Sequence, residues 1–123
     1  MTSGATQRVI VAGSVSIDEN VVDGRRFHKL GGVPVYAGLT YVREGLPTIV
    51  VANAAGPDIE RFAGLAAAGL KTCWGSSAST TRFENRSVAD TRTQRVTGLA
   101  RPIAWDMLHT VAEEASWVHL GPL

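Results

Sequence analysis

Between Val9 and Val15 the chain reads Val-Ile-Val-Ala-Gly-Ser-Val, without a charge and without polar–apolar alternation. A strand buried on both faces has this pattern, and such strands are usually parallel. Two further runs, Thr48–Ala52 and Trp117–Leu120, have the same character, and Leu70–Trp74 is a shorter one. Parallel strands need crossovers, and the intervening segments supply them as helices.

The first helix is expected from Pro34, at a position where the missing proline N–H costs nothing. Val35, Leu39 and Val42 fall on one face, Gly45 is a C-terminal stop, and Pro47 forbids continuation. Asp58 is expected to cap a second helix with Ile59, Phe62, Ala63 and Ala66 facing the core, ended by Gly69. A third helix is expected over 104–115, with Ala104, Leu108, Val111 and Ala115 as its apolar stripe. Glu113 and Glu114 sit near its C-terminal end, which the helix dipole disfavours.

Two segments do not fit the layered pattern. Asp23-Gly24 is a tight-turn signal between short polar arms, and Val88-Ala89-Asp90 lies between two more. Both read as β-hairpins, over about 19–30 and 80–97, lying outside the main sheet. The predicted fold is α/β: a mostly parallel sheet with flanking helices and a small β-hairpin lid. Residues 1–7 read as a frayed, disordered tail, and 8–123 as one domain.

Ligands of parallel sheets bind at the carboxyl ends of the strands. Asp18, just past the first run, supplies a carboxylate that accepts hydroxyl protons. Gly31-Gly32 leads directly into the first helix, where backbone can approach a ligand and helix-start N–H groups are unpaired. These groups describe a pocket for a polyhydroxylated or anionic small molecule. The bland readings are Asp18 as a turn or capping residue and the glycine pair as turn punctuation. Tyr36, on the first helical turn, is the candidate for stacking on a sugar ring. Glu84 and Asn85 could reach a ligand from beneath the lid, with a solvated strand face as the equal alternative. Trp105 and Trp117 are assigned to the core, and His119 to a hydrogen-bonded core position.

Several function classes are disfavoured. The formal net charge is +1 and Arg25-Arg26 is the only adjacent basic pair, so no nucleic-acid surface is expected. The lone Cys73 excludes an internal disulfide and a multi-cysteine metal site, and reads as a small apolar filler. His28, His109 and His119 show no metal-ligand spacing. No stretch is apolar and long enough for a membrane span, and the N-terminus lacks the signal-peptide layout, which makes cytoplasm the default. Gly13-Ser14-Val15 is not a dinucleotide fingerprint, and no Gly-Lys-Ser/Thr phosphate loop occurs.

The order of these pieces resembles the ribokinase-like (PfkB) carbohydrate kinases. The resemblance rests on Val-Ala-Gly-Ser-Val-Ser-Ile-Asp ending at Asp18, Gly31-Gly32 before a helix, and Ala55-Gly56-Pro57-Asp58 after the second strand. Thr80–Asn85 and His119–Leu123 look like a less-characterised branch of that family. The resemblance implies transfer of the ATP γ-phosphoryl group to a sugar hydroxyl, with Mg²⁺. It implies that Asp18, Gly31, Gly32, Tyr36 and Asn85 contact the sugar, and that the lid sheet is a possible homodimer contact. Relatives often carry Asn where Tyr36 stands. The family's C-terminal Gly-Ala-Gly-Asp-type motif, which supplies the catalytic base, has no counterpart here. The expected role is thus the N-terminal, sugar-binding and lid portion of such a kinase, inactive alone, with no catalytic residue of its own. The parallel sheet's open edge makes the isolated chain aggregation-prone by expectation. A non-enzymatic binding or dimerisation module and a nucleotide-binding oxidoreductase domain are the rivals.

Overall fold

The computed structural model describes residues 7–122. The expected tail therefore lies outside the described residues except for Gln7, as does Leu123. Two four-stranded sheets form. The main sheet is fully parallel and is built from β1 (Val9–Ala12), β4 (Thr48–Ala54), β5 (Lys71–Ser76) and β8 (Trp117–Leu120), in the order β5-β4-β1-β8. The second sheet comprises β2 (Ser16–Val22), β3 (Arg25–Gly31), β6 (Thr81–Val88) and β7 (Thr91–Gly98), in the order β3-β2-β6-β7.

The central strands of the main sheet are buried on both sides, as their composition predicts. Val50 and Ala52 of β4 face α1 (Val33–Arg43) and the segment holding α2 (Gly56–Ile59), a 3₁₀ turn (Glu60–Phe62) and α3 (Ala63–Ala67). Ile49 and Val51 of the same strand face α4 (Trp105–Ala112), together with Ile10 and Ala12 of β1. The result is a three-layer α/β/α sandwich. Val35 is buried in the α1 layer and Leu39 and Val42 pack against it, as the helical spacing requires. Gly45 (φ 85) and Gly69 (φ 101) end α1 and α3. In each case the next residue's N–H reaches back to a carbonyl of the last turn, Leu46 to Tyr41 at 3.1 Å and Leu70 to Leu65 at 3.0 Å.

The two hairpins pair with each other, through parallel β2 and β6. Asp23 and Gly24 both have positive φ (49 and 80), the backbone of the turn that matches strand twist. The second hairpin turns at Ala89-Asp90, where Ala89 adopts φ 50.

Several expectations need correction. β1 stops at Ala12, and Asp18 is the third residue of β2 rather than a loop residue past a longer strand. Gly13's N–H bonds Val51 and Gly121's N–H bonds Ala12, which ends the ladder. Asp58 caps no helix: α2 begins after Ala55 with no side-chain cap. In the following segment Phe62 and Leu65 are buried, whereas Ala63 and Ala66 are exposed, because a 3₁₀ turn shifts the phase of the stripe. β5 runs on to Ser76, through half of the expected loop. α4 ends at Ala112, three residues short of expectation, although Ala115 still packs under the sheet. Glu114 finds a partner in Arg8 at 3.4 Å, across from its helix.

β8 is an edge strand, not a buried one. Trp117, Val118 and Leu120 are exposed, as is Trp105 (68%) at the start of α4, where it stacks on His109. His119 is the exception: its Nδ1 and the Tyr41 hydroxyl of α1 share a hydrogen bond of 2.8 Å.

Candidate functional site

Side chains of a strand alternate between faces, so the register of the second sheet decides which groups meet. Ser16 pairs with Gly31 and Thr81, Asp18 with Lys29 and Phe83, and Asn20 with Phe27 and Asn85. All of these share one face. Ile17, Glu19 and Val21 occupy the other, whose far end carries a charged cluster. There Glu19 pairs with Arg26 and His28, and Glu84 with Arg86 at 2.9 Å. The Arg86 hydrogen bond, ahead of its charge, holds the Glu84 carboxyl below its ordinary value and raises the Arg86 guanidinium. Glu84 thus points away from the Asp18 face and belongs to a solvated surface.

On the Asp18 face the carboxylate is held from below. Ser16 Oγ donates to Asp18 Oδ1 at 2.9 Å, and Asp18 Oδ2 lies where a Gly31 side chain would begin, 3.0 Å from that Cβ position. A side chain at Gly31 would press on both Ser16 Oγ and Asp18 Oδ2, so glycine there leaves the carboxylate in its seat. Lys29, opposite Asp18, places its Nζ 5.7 Å from the ring centre of Tyr36, which is half exposed on the first turn of α1. Asp18 and Gly31 thus adjoin where the hairpin sheet meets α1, and Lys29, the cross-strand partner of Asp18, links them to Tyr36. Asn85 lies further up the same face, buried in an amide ladder. Its Nδ2 donates to Asn20 Oδ1 at 3.1 Å, and its Oδ1 accepts from Gln94 at 2.8 Å.

Gly32 has a different task from the one its position suggests. With φ 97 it is the residue before α1, and a Cβ there would overlap the Ser14 carbonyl oxygen and lie 2.9 Å from Val15 Cα. It packs backbone on backbone. The helix start is also less open than expected. Pro34 has no N–H, and those of Val35 and Tyr36 both bond the Gly32 carbonyl at 3.1 and 3.2 Å. Fewer helix-start donors are therefore left for an anion, while the Asp18 carboxylate on the hairpin sheet remains as an acceptor. This balance favours a ligand rich in hydroxyl groups.

A cleft of about 530 Å³ opens at the carboxyl ends of β1, β4 and β8. Gly13, Ser14 and Gly121 form its floor, Trp105 and Leu108 one side, and the segment 99–103 another. It does not include Asp18 or Tyr36; Ser14, which touches Gly32, is where the two regions meet. Sequence reasoning missed the wall of this cleft. Asn53 at the end of β4 signals it only weakly, as an amide closing an otherwise apolar run.

It also missed the clamp at the base of the second hairpin. Thr80 Oγ1 accepts from the Ala55 N–H at 2.9 Å and donates to Asp58 Oδ2 at 2.7 Å. Arg82 reaches both Asp58 oxygens at 3.1 Å. The Thr80 hydrogen bond is the main reason the Asp58 carboxyl is held below its usual range; burial opposes it and the Arg82 charge adds to it. The Asp58 that resembles the family motif therefore anchors the second hairpin to the end of β4.

No protein-family model matches the chain, and no curated protein does. Solved structures do. A pyrophosphate-dependent kinase in the ribokinase family, complexed with a pyrophosphate analog and myo-inositol, shares 30% identity at TM-score 0.83, over 94% of this chain and 40% of its own. A sulfate complex of a pyrophosphate-dependent kinase in the ribokinase family shares 33% at TM-score 0.83, over 94% of this chain and 41% of its own. Ribokinase from Cryptococcus neoformans var. grubii, in complex with ADP, has the same fold at 19% identity and TM-score 0.72, over 94% and 40%. Among the described residues no helix is long and apolar enough to cross a membrane. The chain is thus similar in fold and sequence to kinases of the ribokinase family, and it spans about two fifths of the length of the solved structures it matches.

Proposed function

We propose that the chain is the N-terminal, acceptor-binding and lid portion of a kinase that phosphorylates a sugar or cyclic polyol. The carrying observation is the Asp18 carboxylate, oriented by Ser16 beside Gly31 on the hairpin-sheet face that meets Tyr36. Asp18 would accept protons from substrate hydroxyls, and Tyr36 would offer its ring to the apolar face of the substrate. Asn85, with both amide ends engaged, would shape the roof of the site rather than bind hydroxyls strongly. Gly31 and Gly32 would admit the substrate by keeping the floor free of side chains.

The donor is the second part of the proposal. The resemblance implies ATP with Mg²⁺, whereas two solved structures that share 30% and 33% identity with the chain are pyrophosphate-dependent kinases. Mg²⁺ in such a reaction is usually held by one or two carboxylates together with the donor's own phosphates and water, so its place would be set with the donor. Phosphoryl transfer depends on positioning and charge stabilisation at the donor, and the described residues offer no base poised for it. The chain alone is therefore expected to bind acceptor without turning it over.

Calorimetric titration with myo-inositol, ribose and fructose tests the acceptor reading. At least one should bind. Asp18→Asn should weaken binding about 10- to 100-fold, the value of a hydrogen bond to a charged group. Absence of binding by all three, or equal binding by the variant, would overturn the proposal. Incubation with ATP–Mg²⁺ or pyrophosphate should yield no product from the chain alone, and turnover would refute its incompleteness. The exposed Phe27 and Val96 of the lid sheet (52% and 51%) support a homodimer through that sheet, which sedimentation would detect.

A further inference from the structure

Segment 99–103 lines one wall of the cleft, yet it contributes to neither sheet. Side chains from both halves of the fold hold it. Ala100 N–H donates to Thr81 Oγ1 at 3.1 Å, and Arg101 N–H to Ser77 Oγ at 2.9 Å. From the main sheet, Asn53 Nδ2 donates to two carbonyls at once, Arg101 at 2.8 Å and Pro102 at 3.0 Å. Asn53 is 2% exposed, and its Oδ1 is buried without a hydrogen-bond partner. An orphaned buried carbonyl oxygen is destabilising. The side chain is nevertheless confined to this seat. A Cβ at Gly75, its neighbour on β5, would overlap Asn53 Oδ1 and lie 3.0 Å from Met107 Sδ.

We propose that Asn53 is a positioning residue for acceptor binding: wedged against Gly75, its amide fixes the carbonyls of Arg101 and Pro102 and so sets the width of the cleft beside Ser14. This rests on the proposed acceptor function. Two donors of one amide spent on consecutive carbonyls fix both the height and the tilt of the segment, which a single bond would not. Gly75 is part of the same device, because any side chain there would displace the amide.

The test uses two routes to the same defect. Asn53→Leu keeps the volume and removes both donors; Gly75→Ala keeps Asn53 but takes its seat. Each variant is compared with the parent by hydrogen exchange and by calorimetry with myo-inositol, ribose and fructose. Both variants should speed exchange at Ala100 and Arg101 at least tenfold while β1 and β4 stay protected, and both should weaken acceptor binding at least fivefold. The double variant should be little worse than either single one, since both remove one interaction. Faster exchange throughout the main sheet would show a merely structural role and overturn the proposal. Unchanged exchange at 99–103 would do the same, as would parental affinity in both variants. If the parent binds none of the three compounds, the acceptor reading has failed and the positioning role falls with it; the exchange data then still report whether Asn53 pins the segment.

Discussion

Replacing Gly32 by alanine tests the packing that places α1 against the β1–β2 connection. Two costs add. A non-glycine residue at φ 97, ψ 157 lies in a region essentially restricted to glycine, at about 1–3 kcal/mol. The new Cβ also overlaps the Ser14 carbonyl oxygen and sits 2.9 Å from Val15 Cα. Both are backbone atoms that no rotamer change can move, so the chain itself must shift, at about 1–3 kcal/mol. The sum is about 2–6 kcal/mol, a large share of the 5–15 kcal/mol typical of a domain. At about 4 °C per kcal/mol for a chain of this size, the melting temperature should fall by about 8–24 °C. Gly24 is the control: its φ is 80, but nothing lies within 4 Å of its Cβ position. Gly24→Ala should therefore cost only the backbone part and lower the melt by about 4–8 °C. Circular dichroism melts of both variants decide the matter. A Gly32→Ala melt no lower than that of Gly24→Ala would refute the steric reasoning.

The Asp58 clamp predicts a pH signature. Its carboxyl is depressed in the fold, so its stabilisation is fully present above the ordinary carboxylate pKa of about 4 and is lost as pH falls below that. Asp58→Asn should lose about 1–2 kcal/mol at pH 7, discounted because Arg82 is partly exposed, and should flatten the fall in urea-measured stability between pH 5 and pH 3; an unchanged slope would contradict the clamp. Asn85→Ala should break the Asn20–Asn85–Gln94 ladder and speed hydrogen exchange in β6 and β7 with little effect in β4. Ala89→Gly should raise the melting temperature by relieving a positive φ, a gain of about 0.5–1 kcal/mol. Tyr41→Phe should cost about 1 kcal/mol in denaturant unfolding through loss of the His119 bond.

The sheet was legible because its central strands are buried on both faces, and only an unbroken apolar run satisfies that position. The hairpins were legible because Asp23-Gly24 is turn chemistry and the arms are too polar for the core. Their pairing into one sheet followed from both leaving the same edge. The errors share a cause. Sequence patterns report local preference: β8 and its Trp117 were misplaced because an apolar edge strand reads like a central one, and Trp105 because an aromatic at a helix start carries no local sign of its exposure. Asp58 was read as a cap because helix starts favour Asp, whereas its partners Thr80 and Arg82 lie more than twenty residues away. The Asn53 amide was invisible for the same reason: its carbonyl partners are 48 and 49 residues downstream. Gly31 and Gly32 were found by position, but their reasons, one side-chain space filled by Asp18 and one backbone contact with Ser14, exist only in three dimensions.

The central claim is that a polyol seats against Asp18 at the junction of the hairpin sheet and α1. Amide chemical-shift mapping during titration with myo-inositol tests it most directly. The account predicts that the largest perturbations fall on Asp18, Gly31, Gly32 and Tyr36, and that they vanish in Asp18→Asn. Perturbations centred instead on Arg8, Thr48 and Gly69, at the opposite ends of the strands, would contradict it.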